Sequence, residues 1–364
     1  MNLYLYEDSL FVYSLKSYNL YAFKAESAAL FLMLDGKLKS DYPVDKTSPL
    51  VKFVEKIISA KDRSSHEDRS FEKFQNRGVV SSKNRKYKFY KLDNWLFYLD
   101  IDDVLVKNHV EKLFTHLISK PLSGEKVSRI TVKITNLMYK IYINGVLAKE
   151  VEGLEQLVPM VLAHVRLAYY TQKNFLIALH AASLEYNNRV LIMPGVSGAG
   201  KSTLSAYLTT KGFKIYSDEL SVITQEEKIL PIPLGIGLKE NSWSVISDSL
   251  SSLDTLDIHK RYDGQSVKYL LSDNIASENI SVKNGVIIFN RYKKGAKAVL
   301  TAIDIVETLQ ILINSQYHLY DLKDANMIEK WLSLLTTCEM YRLEYSALED
   351  AEIIIKEVMH NEKI

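Results

Sequence analysis

Halfway along the chain, "GVSGAGKS", Gly195 to Ser202, follows the spacing G-x-x-x-x-G-K-[ST] without a gap. Glycines so spaced let the backbone curl until successive N–H groups face one anionic centre, and the positive N-terminal end of a following helix adds to that field. The implied chemistry is the gripping of phosphate. The flanks agree: "VLIMPG" reads as a buried strand before the loop and "KSTLSAYLTTKG" as a helix after it, closed by Gly212. Gly195, Ser197, Gly198, Ala199, Gly200, Lys201, Ser202 and Thr203 are therefore the candidate nucleotide-binding residues. Lys201 would reach the outer phosphates as a point charge, and the Ser202 hydroxyl would ligate Mg²⁺, a hard cation that prefers oxygen. ATP with Mg²⁺ is the expected guest.

A second element, Asp218-Glu219, closes the expected strand "FKIYSDE" 17 residues beyond Lys201. In an α/β sheet the carboxyl ends of neighbouring strands share one rim, so this pair can meet whatever the loop holds. One carboxylate could bind metal, directly or through water, and the other could take a proton from an attacking hydroxyl. On its own an Asp-Glu pair reads as a solvated strand end; behind a phosphate loop it reads as a site. Ser202, Asp218 and Glu219 are the candidate metal ligands, and Asp218, His180 and Lys201 the candidate catalytic residues. His180, in "IALHAAS", is the weakest of these, because a single histidine among apolar residues is more often a satisfied core group. Arg291 joins the nucleotide-binding candidates as a cation for developing phosphoryl charge, with Lys239 beside it and Arg261, in the expected loop "HKRYDGQ", behind both.

The bulk numbers allow this chemistry without dictating it. At 364 residues the chain exceeds one ordinary hydrophobic core, so two domains are expected. With 46 basic against 44 acidic side chains, no global positive field recruits nucleic acid or anionic lipid. The basic and aromatic stretch "SSKNRKYKFYK" reads as a strand with a solvated face rather than a nucleic-acid site. No run approaches the ~18 apolar residues that cross a bilayer, and the opening "MNLYLYEDSLFVY" has none of the parts of an export signal, so neither a membrane partner nor export is expected. The single cysteine, Cys338, allows no intrachain disulfide and fits a cytoplasmic setting. Neither it nor the scattered histidines have zinc-site spacing.

The elements that must position these residues fall into two parts. Residues 1–165 are expected to be a β-rich N-terminal domain. "NLYLYEDSLFVYSL" reads as a hairpin, "LVKFVEKIISA" as a helix and "KDRSSHEDRSFEKFQNRG" as a loop. "YKFYKLDNWLFYLDIDDVLV" and "SRITVKITNLMYKIYINGVLAKEV" read as strands, with Asn144-Gly145 as a hairpin turn. "LEQLVPMVLAHVRLAYY" spaces its apolar residues as a helix does, and Pro159 suggests that the helix is broken or kinked. In residues 166–364, "FLIALHAASLEY" and "VLIMPG" are expected as two buried strands joined at "NNR". "FKIYSDELSVI", "GVIIFNRY" and "MYRLEYS" are further strands, and "IDIVETLQILIN" is a helix.

The run "LHAASLEYNNRVLIMPGVSGAGKSTLSAYLTTKGFKIYSDELSVI" resembles the catalytic core of the HPr kinase/phosphorylase superfamily, above all its branch of HPr-kinase-related kinases associated with peptide modification. The likeness continues through "PIPLGIGLKENSWSVI", "VKYLL" and "VIIFNRYKKGAKAVL" to "MYRLEYSALEDA", roughly Leu176 to Ala351. It implies an α/β fold: a P-loop kinase core of the HPr kinase/phosphoenolpyruvate carboxykinase type that phosphorylates serine with ATP and Mg²⁺. The family's loop lysine and metal-binding hydroxyl fall on Lys201 and Ser202, its general base on Asp218 and its histidine before the loop on His180. Glu219 stands where the founding enzymes have a second aspartate, and Thr203 where they have glutamate. The first ~165 residues carry no likeness to the founders' N-terminal domain, so HPr itself is not carried over as substrate. The expected acceptor is the hydroxyl of a peptide, a protein or a small molecule. A nucleotide-dependent binding or scaffold module is the alternative, and the front domain would select the acceptor or mediate a homo-oligomer.

Overall fold

The computed structural model describes residues 2–6, 9–14, 19–24, 74, 76–84, 86–136, 138–170, 175–196, 198–314 and 325–360. Among them it is a mixed α/β protein with five sheets and seven α-helices. The opening hairpin forms as expected, Asn2–Tyr6 pairing antiparallel with Ser9–Ser14, and Asn19–Lys24 adds a third strand. The helix expected at residues 50–60 and most of the loop after it lie outside the described residues.

The front sheet runs in the order Val146–Val151, Met138–Ile143, Lys126–Thr135, Trp95–Ile101, Phe89–Leu92, Ile118–Ser119. Asn144 and Gly145, both with positive φ, turn the hairpin between two of its strands. The strand composition of "LFYLDIDDVLV" does not run to its end: Asp103 accepts the Val106 N–H at 2.9 Å and caps a helix, Val104–Glu111. A capping carboxylate outweighs the β-preference of the valines behind it.

Leu154–Tyr170 is one continuous helix, so of the expected break or kink at Pro159 the break does not occur. Pro159 sits within the first two turns, where its missing N–H forfeits a single bond to Glu155 and burial of the helix compensates. Leu157, Val161, Leu162, Val165 and Tyr169 are buried in a hydrophobic cluster that takes in Trp95, Phe97 and Ile130 of the front sheet and Leu230, Ile232 and Tyr269 of the second half.

The second half is organised by a six-stranded sheet in the order Lys214–Ser217, Ala181–Tyr186, Arg189–Pro194, Val286–Tyr292, Glu339–Tyr345, Val299–Ala302. Arg189–Pro194, Val286–Tyr292 and Glu339–Tyr345 run parallel. Side chains alternate between faces along each strand. Leu191, Met193, Val286 and Ile288 pack with residues of helices Lys201–Thr210 and Leu348–His360. Val190, Ile192, Ile287 and Phe289 pack with residues of helices Ile305–Asn314 and Ala325–Thr336. Helices thus cover both faces, which is why these strands read as unbroken apolar runs.

Two expected strands are each divided. "FLIALHAASLEY" splits at His180 into Phe175–Leu179 and Ala181–Tyr186, and "FKIYSDELSVI" splits at Asp218 to Leu220 into Lys214–Ser217 and Ser221–Thr224. Phe175–Leu179 pairs with Ser221–Thr224 in a second, four-stranded sheet, while Ala181–Tyr186 pairs with Lys214–Ser217 in the six-stranded one. Both chains change sheet at the same level. Ser221 Oγ donates to Ala181 O at 2.9 Å and Leu220 N–H to Ser217 Oγ at 3.1 Å, tying the crossing together.

Gly285, just before the central strand, has no room for a side chain: a Cβ would lie 2.8 Å from Val282 O and 3.2 Å from Val190 O, both backbone atoms. Gly285→Ala should therefore destabilise the protein by about 1–3 kcal/mol. Urea denaturation checks this, and an unchanged midpoint would contradict the tight packing described.

Candidate functional site

The strand directions gather one rim. Pro194, Ser217, Tyr292 and Tyr345 end their strands on the side where Ala181 begins its own. The glycine loop therefore emerges beside His180, with Asp218 two strand positions to one side and Tyr292 and Tyr345 to the other. A cavity of about 720 Å³ lies along this rim.

Of the residues singled out by sequence, His180, Gly198, Gly200, Lys201, Ser202, Thr203, Asp218, Glu219, Lys239 and Arg261 line that cavity. Gly195 and Ala199 belong to the loop and act through their carbonyls, as described below. Ser197 lies outside the described residues. Arg291 is not brought to the cavity; it is exposed, on the opposite face of its strand from Asn290 and Tyr292. Besides Lys201, the cavity is lined by the cations Lys239 and Arg261, the second of which the sequence had ranked last.

The loop is held from inside and from the neighbouring strand. Lys201 Nζ donates to Gly195 O at 2.5 Å and to Val196 O at 3.2 Å. Asn290 Nδ2 donates to Ala199 O at 3.0 Å, and the Tyr292 N–H donates to the same oxygen at 3.3 Å. Gly200 has φ +92°, and a Cβ there would stand 2.8 Å from the Tyr345 hydroxyl and 3.3 Å from Tyr292 Cβ. A left-handed backbone and a close neighbour both demand glycine at this position. Burial pushes the Lys201 ammonium below its ordinary pKa, although Asp218 and Glu219 pull the other way.

The two acids have different surroundings. Asp218 is 3% exposed; its Oδ2 accepts the Gly237 N–H at 3.0 Å and its Oδ1 has no hydrogen-bond partner. Burial, followed by repulsion from Glu219, pushes its carboxyl up to about 6, against the smaller pull of the Gly237 amide, the nearby Ser202 hydroxyl and Arg166. Glu219 faces two guanidiniums, with Arg166 Nη1 at 2.5 Å and Arg261 Nη1 at 3.6 Å from its carboxylate oxygens. Arg166, foremost, holds it below the ordinary carboxylate range. His180 lies beside Glu219, and burial, followed by Lys201, pushes its imidazole below the ordinary range. Asp218 is thus a carboxyl poised to exchange a proton near neutrality, beside a carboxylate fixed in its ionised form.

Arg166, Gly237 and Asn290 were not anticipated. Arg166 carried a signal: it sits among Leu162, Val165 and Tyr169 on the buried stripe of its helix, where a charge needs a partner. Gly237 N–H carried none, since any residue but proline supplies it. Among the described residues no three His, Cys, Asp or Glu side chains are grouped to hold a metal by themselves. The hard oxygens of Ser202, Asp218 and Glu219 around one cavity are the donor type that Mg²⁺ takes, and the partnerless Asp218 Oδ1 is a buried acceptor awaiting a donor or a cation.

The raised pKa has a consequence for stability. The folded chain binds the Asp218 proton more tightly than the unfolded chain, whose carboxyl titrates near 3.8. Stability therefore falls as pH rises from 3.8 through about 6. Asp218→Asn removes that cost and should be more stable than the natural chain at about pH 8, by up to about 3 kcal/mol, with the gap closing toward pH 4. Urea midpoints across that range check the expectation, and parallel pH profiles would contradict it. No family model matches the chain, and no curated protein matches it.

Proposed function

We propose that the chain is an ATP-dependent phosphotransferase that moves the γ-phosphate to a hydroxyl group, with a P-loop kinase core of the HPr kinase type. The observation that carries this reading is the single rim on which the glycine loop, Asp218, Glu219, Lys239 and Arg261 surround one cavity. The resemblance from Leu176 to Ala351 supports it and makes a serine hydroxyl on a peptide or protein the favoured acceptor.

The residues divide the work as their environments dictate. The loop amides and the start of helix Lys201–Thr210 bind the phosphates, and Lys201 exchanges its bonds to Gly195 and Val196 carbonyls for phosphate oxygens. Ser202 would hold Mg²⁺ together with the neighbouring carboxylates, and the bound ion would neutralise phosphate charge and fix the triphosphate's orientation. Asp218 accepts the proton of the acceptor hydroxyl at its partnerless Oδ1. The acceptor oxygen forms the new bond to the γ-phosphorus as the bond to the β–γ bridging oxygen breaks, and ADP leaves. Arg261 and Lys239 stabilise the charge that develops on the transferring group. Glu219 holds Arg261 in place and keeps a negative charge beside Asp218, which sustains the raised pKa.

The test uses ATP labelled at the γ-phosphate, with a panel of serine peptides and small hydroxyl compounds as acceptors. Label should appear on an acceptor, and kcat/KM should rise through pH about 6 as Asp218 loses its proton. Asp218→Asn should lower the rate by about 10²–10⁴-fold while ATP still binds. ATP binding without transfer to any acceptor would replace the enzyme by a nucleotide-gated binding module.

A further inference from the structure

The cavity is longer than a triphosphate site alone requires, and its two ends differ in kind. From the strand that ends at Ser217 to the strand that ends at Tyr345 there are four strand spacings, about 19 Å. The end at Asp218 is charged. The other end, beyond Thr203, is lined by Tyr292, Tyr345 and Leu348. In a loop of this type the lysine marks the outer phosphates and the backbone amides hold the inner ones. With the outer phosphate toward Asp218 and Lys239, the rest of the nucleotide extends toward the tyrosines.

Those tyrosines differ from core aromatics. Tyr345 is 1% exposed and its ring meets Tyr292 edge-on, with centroids 6.0 Å apart. Tyr292 is 43% exposed, although the strand behind it is buried from Val286 to Asn290. Its backbone is bonded to Ala199 of the loop, so the ring is held at a fixed offset from the phosphate cradle while its surface stays open to the cavity. An exposed aromatic ring, braced from below and anchored to a phosphate loop, is a surface on which a planar base stacks.

We infer that Tyr292 is the stacking platform for the nucleobase, a subsite for the purine ring that is supported by Tyr345 and Leu348. This rests on the nucleotide reading above and deepens it. The experiment titrates ATP and inorganic tripolyphosphate, each with Mg²⁺, into the natural chain, Tyr292→Ala and Tyr292→Phe by calorimetry. The natural chain should bind ATP more tightly than tripolyphosphate. Tyr292→Ala should weaken ATP by about tenfold or more while leaving tripolyphosphate unchanged, and Tyr292→Phe should keep the natural affinity. Unchanged ATP affinity in Tyr292→Ala would overturn the platform and leave the nucleotide site standing; no binding of either ligand by the natural chain would overturn both. Photolabelling of the natural chain with 8-azido-ATP gives a readout that needs no variant. Adducts on the peptides carrying Tyr292, Tyr345 or Leu348 support the assignment, and adducts confined to the Asp218 end reverse it.

Discussion

The contact between Arg166 and Glu219 is the constraint on which the site rests. Without a cation against it, Glu219 would share the crossing with a buried Asp218, and two carboxylates so placed cannot both ionise at modest cost. Arg166 resolves the conflict by holding one acid ionised and leaving the other to respond to its burial. It comes from the helix that joins the front sheet to the second half, whose other buried residues pack against both. The helix therefore does two things with one face: its aliphatic residues close a core, and its arginine pairs with Glu219 at the cavity. That links the front sheet to the cavity through the packing of an element that touches both.

The double change of sheet is the geometric counterpart of this electrostatic arrangement. A residue inside a ladder directs its backbone polar groups at neighbouring strands, and its side chain stands fixed by the pleat. His180 and Asp218 to Leu220 lie where two adjacent strands leave one ladder and enter another, so both segments are free of regular pairing at the same level. The side chains of His180, Asp218 and Glu219 converge on the cavity there instead of alternating across a sheet. Strand Ile236–Lys239 then covers the crossing and supplies the Gly237 amide to Asp218. The acid is buried because three separate segments meet over it.

What the sequence made legible follows from the range of the interactions involved. The glycine loop with its strand and helix is a local arrangement, and the signal for it is written in consecutive residues. So are the turns at Asn144-Gly145 and at Asn187-Asn188, which need positive φ. The splits at His180 and Asp218 were hidden because "FLIALHAASLEY" is apolar on both sides of the break, and only the partner strand decides where the ladder changes. Arg261 and Arg291 have the same chemistry and differ only in what they face. The period-2 alternation after Asn290 sends Arg291 away from the loop, whereas Arg261 is drawn in by Glu219, a residue 42 positions earlier in the chain. Helix Leu348–His360, whose first residue lines the cavity, passed unnoticed behind the strand "MYRLEYS".

The state of Lys201 bears on how such a site discriminates. The residue is 7% exposed, and two loop carbonyls accept hydrogen bonds from its ammonium. A weak anion gains little there, because every bond it makes to Nζ replaces one already made, and the lysine's burial has been compensated within the loop. Under the proposed function a polyanion would do better: it would take Nζ, the loop amides and the cations of the far wall together, so the lost carbonyl bonds would be set against many charge-assisted ones. The closed loop thus favours ligands that span the rim over ligands that satisfy the lysine alone. This is the selectivity that the proposed triphosphate site would need in the presence of inorganic phosphate.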